Sequence, residues 1–348
     1  MNKKTTLITG GAGFIGTNAA AYYLKKGCKV AIYDNLSRVG AKQNSDWLKS
    51  QKGNFILIKE DIRNYKKLFE AFKKYKPDFV LHLAAQVTMV TSVTNPREDF
   101  EVNALGTFNV LEALRKSSPK TSLIYSSTNK VYGELVDIPL TKKNKRYAYK
   151  RIRGISENYK LDFHGPYGCS KGAGDQYTLD YARIYGLKTV VFRQSGIYGP
   201  HQFGIEKQGW LAWFCNALLF DKPVTIFGDG KQVRDVLYID DLLKAFDLAA
   251  MNIEKIRGRA YNIGGGSKFS LSIWELFDIL EKLSGKKINY SFDTWRPGDQ
   301  KIYISDINRG KKDFSWSPKI SPKEGVKKLY NWISQNKNFI KKAGVFKK

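Results

Sequence analysis

The sequence predicts an α/β protein built on a doubly wound parallel sheet, and three observations support this. A glycine-rich run, Gly10-Gly11-Ala12-Gly13-Phe14-Ile15-Gly16, separates a strand-like stretch, Lys4 to Thr9, from a helix-like one, Thr17 to Lys26. A second strand-like stretch, Lys29 to Tyr33, ends in Asp34, eighteen residues past Gly16. Beyond it, apolar β-branched runs alternate with helix-length segments, the pattern of a parallel sheet covered by helices on both faces.

The glycine run satisfies Gly-x-Gly-x-x-Gly from Gly11 and Gly-x-x-Gly-x-x-Gly from Gly10. Each glycine removes a side chain where backbone must turn or approach a pyrophosphate, and the following helix offers its free N–H groups. Asp34 stands where a carboxylate accepts hydrogen bonds from the adenosine ribose. Its charge repels a 2′-phosphate, so the dinucleotide expected is NAD rather than NADP; nearby Arg38 is the one residue that argues the other way. The fold is thus a Rossmann-type doubly wound sheet.

Further strands are read at Phe55 to Ile58, Phe79 to Leu83, Ser122 to Tyr125 and Thr189 to Phe192, and helices at Tyr65 to Tyr75, Asn103 to Lys116 and Gly172 to Tyr185. Asp61 follows the third strand. Leu83-Ala84-Ala85 follows the fourth, where small residues let backbone come close to a cofactor. Thr128 closes Tyr125-Ser126-Ser127-Thr128 after the fifth, which turns its hydroxyl toward the cleft; a strand-end hydroxyl that only caps local backbone is the simpler alternative.

Tyr167 and Lys171 are spaced Tyr-x-x-x-Lys, which on a helix puts them on one face. A phenol titrates near 10 unperturbed. The neighbouring ammonium is expected to favour its ionised form, making Tyr167 a base toward an alcohol. The spacing alone is weak; with a dinucleotide site upstream it becomes informative.

The 348 residues suffice for one large or two intimate domains. The expected division is a dinucleotide-binding unit of 1–193 plus about 233–257, and a smaller, discontinuous substrate unit of about 194–232 plus 258–348. Between Gly133 and Tyr167 an insertion rich in lysine and tyrosine is expected as surface loop or short helices. Cys28, Cys169 and Cys215 form neither a disulfide framework nor a metal-ligand spacing, which fits a reducing cytoplasm. The most apolar run, Trp210 to Phe220, is too short to span a bilayer, and the glycine run occupies the place a signal peptide's apolar stretch would need.

A net charge of +27 raises nucleic-acid binding, with basic clusters at 142–153 and in the tail from Lys337. The remaining lysines are dispersed and no nucleic-acid motif appears, so solvated faces and attraction of a small anionic substrate account for the charge more simply.

Thr9 to Gly16, Asp34-Asn35-Leu36-Ser37-Arg38, Asp61-Ile62-Arg63, His82 to Gln86, Tyr125 to Thr128, Val131-Tyr132-Gly133, Tyr167 to Lys171 and Gln232 to Val236 together resemble the extended short-chain dehydrogenases/reductases that act as nucleotide-sugar epimerases and dehydratases. Within that family, Ser127 to Gly133, Asp162 to Ala173, Gln208-Gly209-Trp210 and Gly230 to Leu237 are similar to the CDP-tyvelose (CDP-paratose) 2-epimerases. The resemblance implies an NAD site made by Gly10, Gly13, Phe14, Ile15, Gly16, Asp34, Asn35, Ser37, Arg38, Asp61, Ile62, Leu83, Ala84, Ala85 and Ser126, with Tyr167 and Lys171. It implies catalysis by Thr128, Tyr167 and Lys171, no metal, and substrate contacts from Thr128, His164, Gln194, Gln208, Trp210, Arg234 and Arg296.

The implied activity is inversion of C2 in a CDP-linked hexose through a keto intermediate. A UDP-hexose 4-epimerase is the alternative, and a catalytically silent NAD-sensing or nucleic-acid-binding protein a remote one. The dehydratases carry Asp-Glu after the threonine; Asn129 and Lys130 cannot act as that pair, and Lys130 is expected either to face the substrate or to be solvated. Gln194 and Gly196 depart from the tyvelose-type pattern. Relatives pair through two helices each, which implies a homodimer or homotetramer, with neither membrane nor nucleic acid as a partner.

Overall fold

The computed structural model describes residues 4–206, 208–296 and 298–346. Seven strands form a wholly parallel sheet in the spatial order Ala260–Ile263, Lys188–Gln194, Ser122–Thr128, Phe79–His82, Thr5–Thr9, Lys29–Tyr33, Asn54–Ile58. The strand order reverses between Thr5–Thr9 and Phe79–His82, so their carboxyl ends open a crevice at the switch point. Thr9 pairs with Tyr33 on one side and His82 on the other. That register brings the glycine run, Asp34 and Leu83 to one edge.

The helices Phe14–Lys25, Tyr65–Tyr75, Gly106–Ser117 and Gly165–Tyr185 cover the sheet. The last begins at Gly165, seven residues before the expected start at Gly172: Pro166 sits in its first turn, and Gly186, in the left-handed region at φ 66°, ends it. Expected and observed bounds agree closely for Tyr65–Tyr75. The expected start at Asn103 falls instead in a π-helical turn, Glu101–Leu105, that leads into Gly106–Ser117.

The return segment 233–257 contributes only its helix, Ile239–Met251, to this layer. Strand Val233–Tyr238 lies elsewhere, antiparallel to Ser270–Ser272 and parallel to Ile302–Tyr303 and Gly196–Tyr198. The seventh sheet position goes to Ala260–Ile263, which the sequence reading placed in the substrate unit. Both stretches are short and mix β-branched or aromatic residues with polar ones, so propensity does not separate them. The crossover through Ile239–Met251 decides, because it returns the chain to the sheet one strand later.

The insertion also differs from expectation. It forms an antiparallel pair, Leu140–Lys142 with Tyr147–Tyr149, rather than loop or helices. Tyr149 packs with Tyr132, Ile155 and Tyr303 in a small separate core, and Ile155 N donates to Ile304 O at 2.7 Å. Three of its cations face the second lobe, the part around Val224–Phe227 and Ile273–Ser284: Lys142 meets Asp229 at 3.1 Å, Lys145 meets Asp278 at 2.6 Å and Arg146 meets Glu275 at 3.1 Å.

A buried relay joins the sheet to the helix beneath the crevice. Thr107 donates to Asn103 O at 2.5 Å, so its oxygen accepts from His82 Nε2 at 3.0 Å. His82 Nδ1 then accepts from Thr9 Oγ1 at 2.7 Å, and Thr9 in turn accepts from Ala84 N at 3.3 Å. Burial, with the Lys171 charge beside it, pushes His82 down to about 3, and burial pushes His201 down to about 4. Each folded value lies below the ordinary 6.5 of the unfolded chain. Stability is therefore whole above pH 6.5 and is lost as pH falls toward those values, at about 1.4 kcal/mol per pH unit for each histidine. Proton NMR should accordingly find the His82 and His201 imidazole signals unmoved between pH 8 and pH 5; a shift centred near 6.5 at either would contradict the relay or the burial.

Candidate active site

The glycine run approaches other backbone so closely that side chains are excluded. Gly10 has φ 69°, and a Cβ there would lie 2.6 Å from Ala84 N; at Gly16 it would lie 2.3 Å from Gly10 O. Helix Phe14–Lys25 starts at Gly13 with no side chain capping it, leaving first-turn N–H groups for an anion. Asp34 Oδ2 accepts from Ala12 N at 2.9 Å and Oδ1 from Leu36 N at 2.8 Å. Burial pushes its carboxyl up, while those two bonds and Arg38 pull it down. Asp61 accepts from Arg63 Nη2 at 2.9 Å and from Asn35 Nδ2 at 2.8 Å. Burial raises its carboxyl, but these bonds outweigh it and hold Asp61 below the usual range.

These residues line a cavity of about 670 Å³ that runs from Asp34 and Asp61 past Leu83-Ala84-Ala85 to Ser126, Thr128, Tyr167 and Lys171. A tight backbone cradle, an uncapped helix start and a carboxylate beyond the second strand are what a dinucleotide requires, and the residues present fit one.

Tyr167 and Lys171 sit one turn apart near the start of Gly165–Tyr185, opposite the end of Ser122–Thr128. Thr128 Oγ1 accepts from Lys130 N at 3.2 Å, capping the turn Asn129–Tyr132. It also stands beside the Tyr167 phenol on the same cavity and pulls its pKa down. The local cap and the catalytic placement thus coexist, because accepting from the amide leaves the hydroxyl proton for another oxygen.

The charge state departs from expectation. Burial pushes Tyr167 up to about 12, against the pull of Thr128 and Arg38 and with a further push from Asp99. Lys171 is buried, and this pushes it down to about 7 although Asp175 and Asp99 act the other way. Its Nζ donates to Ser126 O at 2.6 Å and lies 4.2 Å from the centre of the Tyr125 ring. The ammonium therefore serves the strand end, and the phenol is protonated at neutral pH in the protein alone. Desolvation is the leading cause at each of the two groups.

Two buried networks hold this helix. Asp99 accepts from Ser170 Oγ and from Asn103 Nδ2 at 3.1 Å, and Asn103 Oδ1 accepts from Gln86 N at 2.9 Å. On the other side Asp175 takes a fork from Arg193, Nε and Nη2 each at 2.9 Å, together with Ser127 Oγ at 2.8 Å. Arg193 Nη1 also reaches Tyr132 OH at 3.1 Å, and Tyr132 OH donates to Asn262 Oδ1 at 2.7 Å.

A second cavity, about 310 Å³, shares Asn129, Ser195, Gly196, Gln208, Gly209 and Trp210 with the first. Lys130, Arg234 and Arg296 line it with Glu206, Asp299 and the ring of Phe227. Arg296 stacks 3.6 Å from the Phe227 ring centre and donates to Glu206 O at 3.2 Å. Arg234 Nη2 lies 3.9 Å from Asp299 Oδ1.

The structure gathers Gly10, Gly13, Phe14, Ile15, Gly16, Asp34, Asn35, Ser37, Arg38, Asp61, Ile62, Leu83, Ala84, Ala85, Ser126, Thr128, Tyr167, Lys171, Gln194, Gln208 and Trp210 on the first cavity. Arg234 and Arg296 line the second, which Gln208 and Trp210 also border. Arg38 crosses the first cavity to bond Gln208 Oε1. His164 lies on neither: its side chain is 59 % exposed and faces Glu134 at 3.4 Å. The turn at Gly165, φ 68°, sends Tyr167 inward and leaves His164 outside at the helix start. Sequence reasoning missed Gln86, Val87, Thr91 and the segment His201-Gln202-Phe203 on the first cavity, and Asp299 on the second; Lys130, for which the sequence leaves substrate and solvent open, lines the second. Gln86 was within reach, since it directly follows the alanines; the rest arrive from segments with no local signal.

Fold and site together define an enzyme of the nucleotide-sugar-modifying type, built on the extended short-chain dehydrogenase/reductase plan. The chain belongs to the family described as GDP-mannose 4,6 dehydratase, whose model matches residues 7–329. It is 48% identical to the CDP-paratose 2-epimerase of Salmonella typhi over 94% of this chain and 98% of that protein. Among solved structures it is similar to the UDP-glucose 4-epimerase of Thermotoga maritima with UDP-glucose, at TM-score 0.82 and 31% identity over 95% of this chain and 99% of that one. The UDP-glucuronic acid 4-epimerase of Bacillus cereus, in complex with UDP-glucuronic acid and NAD, gives TM-score 0.82 and 30% identity with coverage of 95% and 99%.

Gly16→Ala should abolish dinucleotide binding, because the new methyl meets the carbonyl of Gly10 rather than a movable side chain. The dinucleotide released on denaturing the purified variant, set against wild type, measures this; equal content would show that the loop yields without cost.

Proposed function

We propose that the protein is an NAD-dependent epimerase of a CDP-linked hexose that inverts C2, of the CDP-paratose to CDP-tyvelose type. The observation that carries this reading is the meeting of Thr128, Tyr167 and Lys171 at the junction of a dinucleotide-shaped cavity and a cation-lined one. The relative sharing 48% identity over nearly all of both chains supports CDP and C2 in particular. Asn129 and Lys130 supply no carboxylates after Thr128, which argues against dehydration.

Gly10, Gly13, Gly16, Asp34 and Ser126 would hold NAD in the first cavity, where the bound group would supply reversible acceptance of a hydride from the sugar carbon. Asp34 favours a free ribose hydroxyl there over a 2′-phosphate. Thr128 donates to the reacting sugar oxygen and orients it toward Tyr167. Tyr167 takes that oxygen's proton as the carbon is oxidised and gives it back on reduction. Lys171 lowers the cost of the transient phenolate once it is released from Ser126 O. Arg234 and Arg296 hold the diphosphate, where planar guanidinium groups match its oxygens. Gln194 and Trp210 border the space in which the ketose turns over. No net oxidation results, so the cofactor is retained through the cycle.

Three free cysteines suit a reducing cytoplasm, and among the described residues no helix is long and apolar enough to cross a membrane. Lys142, Lys145 and Arg146 of the basic insertion are paired with Asp229, Asp278 and Glu275, which weakens the argument for nucleic acid. An apolar face on helices Gly106–Ser117 and Gly165–Tyr185 supports a homodimer: Phe108, Tyr177, Ile184 and Tyr185 are exposed, with Phe100 beside them, and Phe108 stacks edge-on to Tyr177 at 5.8 Å.

A UDP-hexose 4-epimerase is the competing reading, since the similar solved structures carry UDP-sugars. Incubation with CDP-, UDP- and GDP-hexoses, with product stereochemistry read by NMR, should give inversion at C2 of a CDP-sugar only; inversion at C4 of a UDP-sugar would decide for the competitor. In the same assay Tyr167→Phe should retain bound NAD and lose at least about a hundredfold in turnover, the usual minimum for removing a general base. Tyr177→Glu should yield monomers in analytical ultracentrifugation, and an unchanged sedimentation coefficient would remove this face as the contact.

A further inference from the structure

Lys130 is a charged group of the second cavity that the mechanism above leaves without a task. It lies two residues after Thr128, and its backbone amide bonds the catalytic hydroxyl itself. Its Nζ donates to Gly298 O at 3.0 Å. An ammonium has three donors, so among the described residues two remain for a ligand. Arg234, Asp299 and Glu134 are its charged neighbours, and burial together with the Arg234 charge pushes it down to about 8. An anion placed between Lys130 and Arg234 would relieve that repulsion.

The chemistry of a hexosyl diphosphate gives this position a meaning. The sugar joins the β-phosphate through C1. C2 is bonded to C1, whereas C4 lies across the ring. For the C2 hydroxyl to reach Thr128 and Tyr167, the β-phosphate must come close to Thr128. For the C4 hydroxyl to do so, the phosphate must stay a ring's width away. A 2-epimerase therefore needs a cation right beside its catalytic threonine, and a 4-epimerase does not. Arg234 and Arg296 come from distant segments, and Arg296 is engaged with Phe227 and Glu206 O. Lys130 is the cation tied directly to the catalytic strand end.

We propose that Lys130 grips the β-phosphate of the bound nucleoside diphosphate sugar and thereby selects C2, rather than C4, for oxidation. This deepens the C2-epimerase reading and rests on it. It makes Lys130 a specificity-determining residue, distinct from the arginines in that it links the anion site to the reacting hydroxyl through a single turn of chain.

The test compares CDP with CMP, which lacks the β-phosphate, by calorimetry on the full chain saturated with NAD. Lys130→Met should weaken CDP by about tenfold, as loss of a charge-assisted hydrogen bond does, and leave CMP within about twofold. Lys130→Arg should recover most of the CDP affinity. Equal weakening of both nucleotides would show a purely structural role and overturn the proposal, as would an unchanged affinity for CDP. With the CDP-hexose, residual turnover of Lys130→Met should include product inverted at C4; exclusive C2 inversion at reduced CDP affinity would overturn the selection of C2. Should wild type fail to bind CDP, the cytidine reading falls, and UDP against UMP then decides the role of Lys130 by the same comparison.

Discussion

The buried fork between Arg193 and Asp175 is the constraint on which the active site depends. Asp175 stands one turn beyond Lys171 on the helix that also bears Tyr167, and Arg193 lies on the strand whose next residue, Gln194, enters the cavity. Ser127, the neighbour of Thr128, bonds the same carboxylate. One ion pair therefore sets the distance between the helix that carries the phenol and two strands that carry its partners. Removing either member alone would leave an uncompensated buried charge, a loss of about 3–5 kcal/mol. Its bidentate geometry, with Ser127 on the carboxylate and Tyr132 on a third guanidinium donor, explains how so dry a pair is tolerated.

Around that fixed frame the two titrating groups are held away from their ordinary values in opposite senses. Burial disfavours the phenolate at Tyr167 and the ammonium at Lys171 alike. In the protein alone the phenol is thus uncharged and the ammonium only partly formed, which keeps the site unreactive until a cation and a hydroxyl arrive together. Such a site is poised by desolvation rather than by a standing ion pair, a different physical basis from the one that Tyr-x-x-x-Lys spacing suggests.

Much of this was legible in the chain itself, and the reasons differ by element. The glycine run, Asp34 and the small residues after the fourth strand could be read because backbone contact leaves almost no chemical choice there; Gly10 and Gly16 face backbone atoms, not side chains. Tyr167 and Lys171 were legible because helix geometry converts spacing into proximity. The seventh strand was not, since Ala260–Ile263 and Val233–Tyr238 have similar propensities and the path of the intervening helix decides between them. His164 was misplaced because one left-handed glycine separates it from the inward-facing turn. For Lys130 the chain left substrate and solvent both open, because the surroundings that decide come from Arg234 and from Gly298 and Asp299, more than a hundred residues away.

The ion pairs between the hairpin at 140–149 and the second lobe have a consequence of their own. With 59 cations against 32 acidic residues, the molecule as a whole gains from added electrolyte, because screening relieves self-repulsion. At this seam Lys142, Lys145 and Arg146 attract their acidic partners across a partly exposed boundary, and the same electrolyte weakens them within a Debye length of about 8 Å at physiological strength. Global and local responses to ionic strength therefore have opposite signs, and the hairpin is the part of the molecule that loosens while the remainder becomes firmer.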